Sequence, residues 1–240
     1  MERKLNKDNF ISLFGDWWSR IEKFFDDGGF EPIYEFLKKE SLRGVQIAPL
    51  SSDTFRCFQE TPFNDLKLII AGLSPYHTFK NNKPIADGIL MSCSYTGILQ
   101  PSLAAWYDEI ERQLYQGLNV HLIKDPDLKF LCSQGILMYN VGLTCPKNKP
   151  GAHGHIWEDF TKFLLSEVIF GAGVPVVFLG REAAKFKRYV PPFTWTFEVV
   201  HPAASSYSGE DWNSEGLFKK LNKILKDSNN FEIQWMKTDE

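Results

Sequence analysis

Polar side chains follow three apolar segments of the chain, at the point where each segment ends. The run at residues 68–71 leads into Ser74, Tyr76 and His77, the run at 136–139 ends at Asn140, and the run at 195–200 ends at His201. If these runs are strands of one parallel sheet, their polar groups meet at its carboxyl edge, where open α/β sheets bind ligands. Hydroxyl, amide and imidazole groups at such an edge can bind a polar ligand and move protons. The pattern therefore predicts a polar pocket.

The elements that position these groups alternate along the chain. Apolar runs predict four strands, at residues 68–71, 135–141, 174–179 and 195–200. Helical spacing of apolar residues predicts the main helices, at residues 8–25, 31–40, 103–115, 157–170, from about 182, and 215–226. The first helix carries an aromatic stripe that we expect to pack in the core, residues 78–84 are expected to form a polar loop, and a polar tail is expected after the last helix. Strands that alternate with helices indicate a parallel sheet covered on both faces. We expect an α/β protein with three α/β/α layers and a central four-stranded, mainly parallel sheet, formed by residues 1–240 as a single domain.

Composition narrows the class of protein. The 240 residues are 43% apolar and 15% aromatic, which is enough for one well-buried core. No apolar stretch reaches membrane-spanning length, and residues 1–6 lack the apolar core of a signal peptide. We therefore expect a monomer with no membrane partner, located in the cytoplasm, or in the nucleus of a eukaryotic or viral host. The net charge of −3 neither supports nor excludes a nucleic-acid partner.

Metal and cofactor chemistry is not indicated. The cysteines are widely spaced, with no Cys-x-x-Cys pair, and we expect free thiols at Cys57, Cys93, Cys132 and Cys145. His153 and His155 lie close together, but no third ligand or cysteine is near them in sequence. No metal and no cofactor is expected.

Five short motifs occur in a fixed order. They read Gly-Leu-Ser-Pro-Tyr-His at 72–77, Gly-Ile-Leu-Met-Ser at 88–92, Gln-Pro-Ser at 100–102, Leu-Met-Tyr-Asn-Val-Gly-Leu-Thr at 137–144 and His-Pro-Ala-Ala-Ser-Ser at 201–206. They resemble the Gly-Gln-Asp-Pro-Tyr-His, Gly-Leu-x-Phe-Ser, Pro-Pro-Ser, Leu-Leu-Asn-x-x-Leu-Thr and His-Pro-Ser-Pro-Leu-Ser motifs of the uracil-DNA glycosylase family. The resemblance extends from Phe55 to Trp235 and implies that family's fold, with DNA as partner.

The resemblance also implies roles for the residues that match. Asn140 would read the edge of a flipped base, and Tyr76 would close off the 5-position of a pyrimidine. His201 would donate a hydrogen bond to the base oxygen that becomes negative as the glycosidic bond breaks. His77 would help to hold the phosphates of the DNA. Further contacts to DNA would come from Ser102, His153, Ala203 and Ser205.

Several positions depart from the family's motifs. The family's water-activating aspartate is Ser74 here, and a hydroxyl without an activating partner is not a general base at neutral pH. The pocket glutamine is Leu73, and the stacking phenylalanine is Met91. The leucine that enters the minor groove is Ser205, a side chain too small to fill the space left by a flipped base. Acidic residues follow Ser205 in the segment 208–212, and they would repel phosphate.

Asp87 is the candidate for a replacement carboxylate, because it stands where the family often has histidine or asparagine. The loop at residues 78–87 is longer than in the family. This loop and Met91 would suit a bulkier modified base, whereas Tyr76 argues against a large 5-substituent.

Two functions remain open at this point. In the first, the protein is a DNA glycosylase that removes uracil or a modified pyrimidine, such as one from viral DNA. In the second, it is a catalytically silent protein of the same fold that binds DNA or a protein partner. Retained Asn140 and His201 favour the enzyme, and the loss of the aspartate, the phenylalanine and the leucine favours the silent protein.

Overall fold

Four parallel strands form the centre of the molecule. The computed structural model describes residues 5–239. The strands are β1 (Leu68–Gly72), β2 (Ile136–Asn140), β3 (Val176–Leu179) and β4 (Thr196–Val199), in the spatial order β2-β1-β3-β4. Every neighbouring pair is parallel, and all residues of β1, β2 and β3 are buried. The predicted α/β class with a four-stranded parallel sheet is confirmed.

Helices flank this sheet and occupy the segments before, between and after its strands. Their bounds are α1 Lys7–Phe14, α2 Trp18–Asp26, α3 Phe30–Leu42, α4 Arg56–Glu60, α5 Pro101–Ile110, α6 Lys129–Cys132, α7 Gly154–Phe163, α8 Arg181–Ala184, α9 Ser205–Ser208 and α10 Leu217–Asn229. Wider π-type turns extend α5 through Glu111–Tyr115 and α7 through Leu164–Val168. The predicted helices at 31–40, 103–115 and 157–170 therefore correspond to observed helical segments.

The helix predicted at residues 8–25 is broken in two. Helix α1 ends at Phe14, because Gly15 adopts φ +54°, a conformation that does not continue a right-handed helix. A 3-10 turn at Gly15–Trp17 then leads into α2. The aromatic stripe nevertheless packs as core: Phe14 and Trp17 are buried, and the Trp17 indole donates to the carbonyl of Thr61 at 2.7 Å.

A tight hairpin follows β1. Two-residue strands at Phe79–Lys80 and Lys83–Pro84 pair antiparallel. The turn residues Asn81 and Asn82 have φ of +50° and +61°, as the two central residues of a type I′ hairpin turn require. The segment predicted as a polar loop is thus an ordered hairpin.

The end of the chain also differs from the prediction. The sequence predicts a polar tail after α10, but Ile233, Trp235 and Met236 are buried. The Trp235 and Phe218 rings pack with centroids 4.8 Å apart, and Lys237–Thr238 pairs with Leu122–Ile123. The tail therefore closes one side of the core.

Other expectations can be compared directly with the described residues. All four cysteines are buried free thiols, as predicted. Within residues 5–239, no helix is both long and apolar enough to cross a membrane. Residues 1–4, part of the segment predicted to lack a signal-peptide core, lie outside the described residues.

Candidate active site

A cavity of about 700 Å³ opens at the carboxyl edge of the sheet. It collects most of the residues that the sequence predicts for a site, and these are Leu73, Ser74, Tyr76, His77, Met91, Ser102, His201 and Ala203. The other four predicted residues, Asn140, Asp87, His153 and Ser205, do not line it. A second cavity, of about 570 Å³, lies beside α3 and is lined mainly by apolar side chains. It contains none of the predicted residues, so we assign the site to the first cavity.

Asn140 ends β2 directly opposite Gly72, the last residue of β1. Its side chain is 3% exposed, and its amide oxygen has no hydrogen-bond partner among the described residues. A Cβ on Gly72 would lie 3.5 Å from that oxygen and 2.4 Å from Cδ1 of Leu90, a cavity-lining residue. A side chain at position 72 would therefore displace the Leu90 side chain from its place at the cavity. An unpaired buried acceptor is costly unless a ligand supplies the donor.

His201 follows β4 and presents one ring nitrogen to the cavity. Its Nδ1 accepts a hydrogen bond from the backbone N–H of Ala203 at 3.1 Å, so Nδ1 carries no proton. Burial lowers the pKa of His201, which keeps the ring neutral near pH 7. The single ring proton is then on Nε2, and it is free to donate to a ligand. Gly180 makes this position possible, because a Cβ there would lie 3.2 Å from the His201 Cβ.

Tyr76 is held in place by Ser102, which lies in the first turn of α5. The two hydroxyl oxygens are 2.7 Å apart. Burial raises the pKa of Tyr76, so the phenol keeps its proton. If Tyr76 donates to Ser102, the Ser102 proton remains available for an acceptor such as phosphate. The pair fixes the tyrosine ring against the cavity.

Ser74 and His77 complete the polar lining after β1. The Ser74 hydroxyl accepts a hydrogen bond from the backbone N–H of Gly151 at 3.1 Å. Its own proton is left to donate, so Ser74 can orient a water molecule but has no partner there that would let it accept the water's proton. The His77 Nδ1 is buried and unpartnered within the described part of the chain.

The prediction that Asp87 replaces the family's water-activating aspartate is wrong. Asp87 is completely buried and does not line the cavity. Its carboxylate binds the Arg56 guanidinium at 2.9 Å and accepts hydrogen bonds from the Ser92 and Ser94 hydroxyls, each at 2.6 Å. Backbone N–H groups of Ile89 and Ser94 add two more hydrogen bonds. Because its acceptor sites are occupied, Asp87 stabilises the loop after the hairpin and is not placed to activate water.

The prediction that His153 contacts DNA is also wrong, because this residue is only 2% exposed. Its Nδ1 lies 3.0 Å from the Thr144 hydroxyl, and its ring packs edge-on against Phe36 with centroids 5.3 Å apart. The burial also lowers the pKa of His153. His153 is therefore a core residue in this structure.

The segment after His201 contains one predicted and one unexpected residue. The Ser205 hydroxyl donates to the carbonyl of Pro202 at 2.8 Å, so it is used within the turn. Tyr207, two residues further on, is 90% exposed and lines the cavity mouth. The motif comparison did not identify Tyr207, although a large aromatic residue between serines in this segment was a usable signal.

Other lining residues were also missed by sequence reasoning. They are Leu90, Pro150, Leu179, Gly180, Arg181, Glu182 and Lys185. Three of these follow β3 directly, and the glycine that closes an apolar strand was the signal that could have identified them. Met91, in contrast, was identified, and it is buried at the cavity with the unusual φ of +59°.

Comparison with known proteins adds an independent observation. No protein-family model matches the chain. The uracil-DNA glycosylase of Mesomycoplasma hyopneumoniae (strain 7448) is 31% identical over 239 residues, covering 98% of this chain and 99% of the relative. That of Streptococcus pneumoniae (strain Hungary19A-6) is 30% identical over 225 residues, covering 92% and 98%. The crystal structure of mimivirus uracil-DNA glycosylase has a TM-score of 0.81 at 24% identity, covering 97% and 90%, and supports the fold.

The burial of His153 predicts a pH-dependent stability. Its pKa is lowered in the folded state, whereas an unfolded chain binds the proton near its usual value of about 6.5. The unfolded state then binds more protons, so the free energy of unfolding falls as pH decreases from about 7 to 5. His201 contributes with the same sign. In urea titrations, His153→Asn should therefore show a shallower pH dependence than wild type.

The control is His121→Asn, at an exposed histidine that contacts Asp239 at 2.6 Å, and it should not reproduce the flatter profile expected of His153→Asn. His153→Asn should also bind DNA as well as wild type does. If His153→Asn left the pH dependence of stability unchanged but abolished DNA binding, His153 would be a DNA-contacting residue after all.

Proposed function

The chain belongs to the uracil-DNA glycosylase family, and on this premise we propose that it cleaves the N-glycosidic bond of a flipped pyrimidine in DNA. Uracil is the preferred base in this proposal, with a modified pyrimidine as the wider class. The observation that carries the proposal is the hydrogen bond from the Ala203 N–H to His201 Nδ1, since it leaves a neutral imidazole with its Nε2 proton available at the cavity.

Glycosidic cleavage leaves negative charge on the departing base. The C–N bond breaks with its electron pair going to the base, and a water oxygen bonds to the sugar carbon and then loses its proton. A His201 Nε2–H aimed at the pyrimidine oxygen stabilises this charge, and one preorganised donor of this kind contributes roughly 100- to 1,000-fold in rate. Because the donor is a neutral ring, it stabilises the anion without having to give up its proton.

The groups in and beside the cavity support uracil as the base. The unpartnered oxygen of Asn140 can accept from the imide N–H of uracil. Leu73 and Met91 offer apolar contact to the ring, in place of an amide and an aromatic stack. Tyr76, fixed by Ser102 at 2.7 Å, limits the room for a substituent at the pyrimidine 5-position. A small or absent 5-substituent fits this arrangement best.

The water that attacks the sugar has weaker assistance. Ser74 can orient it, but the proton must pass to solvent. General-base catalysis typically contributes about 100- to 10,000-fold. We therefore expect a working but slow glycosylase. In the alternative function, a catalytically silent DNA-binding or protein-binding protein, the same cavity would bind without cleavage.

An excision assay separates the two functions. Single-stranded and duplex oligonucleotides carrying one uracil or one 5-hydroxymethyluracil are incubated with the protein, and alkali-labile abasic sites are counted under single-turnover conditions. We expect uracil excision by the wild type, and a loss of roughly 100-fold or more in His201→Ala. The exposed His121→Ala is the matched control and should keep the wild-type rate. If wild type produces abasic sites in none of the substrates, the silent function is correct.

Tyr207 is proposed to occupy the space left by the flipped base, because Ser205 is too small and its hydroxyl is used within the turn. Tyr207→Ala should slow excision from duplex at least several-fold more than excision from a single strand, where no base pair has to be kept open. Tyr207→Phe should retain most of the duplex rate, since the ring and not the hydroxyl fills the gap. Equal losses on both substrates for Tyr207→Ala would contradict this role.

A further inference from the structure

Two segments beside the cavity carry lysines and no acidic residue. They are residues 78–84, which include the hairpin, and residues 145–152, which follow β2. The four lysines, all exposed, are Lys80, Lys83, Lys147 and Lys149. We call these four residues the lysine surface.

Direct contacts join the two segments into one surface. The backbone N–H of Asn148 donates to the carbonyl of His77 at 3.0 Å. The Lys147 ammonium lies 5.4 Å from the centroid of the Phe79 ring. Phe79 in turn packs against a small buried cluster that includes Cys145. The hairpin is thereby held against the second segment.

The lysine surface borders the cavity on both segments. His77, one residue before the first segment, lines the cavity, and so does Pro150 in the second. The lysines therefore lie next to the place where a flipped nucleotide would sit, while none of them lines the cavity itself. Their position suits contact with the phosphates of the DNA strand on either side of that nucleotide.

The positive charge of this surface is not neutralised. Within residues 5–239, none of the four lysines forms an ion pair, and Lys147 binds the neutral side-chain oxygen of Gln46 at 2.8 Å. The segment after β3 is different: Lys185 pairs with Glu182, and Lys187 pairs with Glu198 at 2.7 Å. In the segment after β3, two cationic residues line the cavity, Arg181 and Lys185. Of these two, only Arg181 forms no ion pair within the described residues.

The other segment at the mouth is acidic. Glu210 and Asp211 follow Tyr207 and are exposed. Asp211 contacts Arg112 at 3.3 Å, which takes up that cation as well. Since the protein has a net charge of −3, four unpaired lysines on one side of the cavity form a local exception.

We propose that the lysine surface binds the phosphate backbone of DNA next to the flipped nucleotide. This inference rests on the proposed function in that it uses DNA as the partner, but it does not need cleavage. Lysine contacts to phosphate release condensed counterions, so each contributes about 0.9 to the slope of log affinity against log salt for duplex DNA. The lysine surface would supply the electrostatic attraction to phosphate that the acidic segment after Ser205 cannot supply.

The test compares two quadruple variants with the same change in charge. One is K80Q/K83Q/K147Q/K149Q, and the control is K39Q/K219Q/K220Q/K223Q, whose lysines are exposed on α3 and α10 and form no ion pair among the described residues. Affinity for an undamaged duplex is measured by fluorescence anisotropy at several salt concentrations. We expect the first variant to lose about 3.6 units of salt slope and at least tenfold in affinity at low salt, and the control to lose less than threefold in affinity.

Thermal unfolding of both variants should match that of wild type. If the quadruple variant is destabilised, K80Q/K83Q and K147Q/K149Q are measured separately, each with about half the slope change. Equal salt slopes in the lysine-surface variant and the control would overturn the proposal.

The outcomes distinguish this proposal from the glycosylase function. If wild type excises no base but the salt slope falls only in the lysine-surface variant, the surface stands and the enzymatic function fails. If wild type excises uracil and the two variants have equal slopes, the surface fails and the enzyme stands.

Discussion

The parallel pairing of β1 with β2 places Gly72 opposite Asn140, and the site depends on this register. A residue with a Cβ at position 72 would collide with Leu90 and come within 3.5 Å of the Asn140 amide oxygen. This parallel pairing brings the polar residues after β1 beside the amide that ends β2. Pairing of β1 with β3, and of β3 with β4, then brings His201 to the same edge. A one-residue slip would turn these side chains away from the cavity.

The hydrogen bonds that a side chain already makes within the protein indicate whether it can bind a ligand or only stabilises the fold. Asn140 Oδ1, His77 Nδ1, His153 Nε2 and Trp106 Nε1 are all buried without a partner among the described residues. His77 lines the cavity and Asn140 lies near its lining residue Leu90, so these two can bind a ligand there, whereas His153 and Trp106 do not line the cavity. The Asp87 carboxylate is surrounded by donors, and its nearest cation is the Arg56 guanidinium at 2.9 Å. A carboxylate in that setting stabilises a loop. This difference explains why a titratable residue beside a motif is not always part of the chemistry.

Sequence patterns predict the sheet because strands buried on both faces read as continuous apolar runs, and they predict the edge because polar residues end those runs. They fail where a residue's role depends on a distant partner. Asp87 meets Arg56 across 31 positions, and His153 meets Phe36 across more than a hundred. The break at Gly15 and the burial of Trp235 likewise depend on backbone conformation and tertiary packing, which no local pattern records. Tyr207 lies one residue beyond the last motif, so the motif does not identify it.

The central claim is that the site stabilises the departing base through His201 but provides no general base for the attacking water. It is tested most directly by the single-turnover excision rate of Ser74→Asp, with Ser74→Asn as the control of similar shape. An aspartate can keep the hydrogen bond from the Gly151 N–H and can also accept the water's proton. The account predicts a rate increase of about 100-fold or more in Ser74→Asp and little change in Ser74→Asn. A folded Ser74→Asp protein that is no faster than wild type would contradict it.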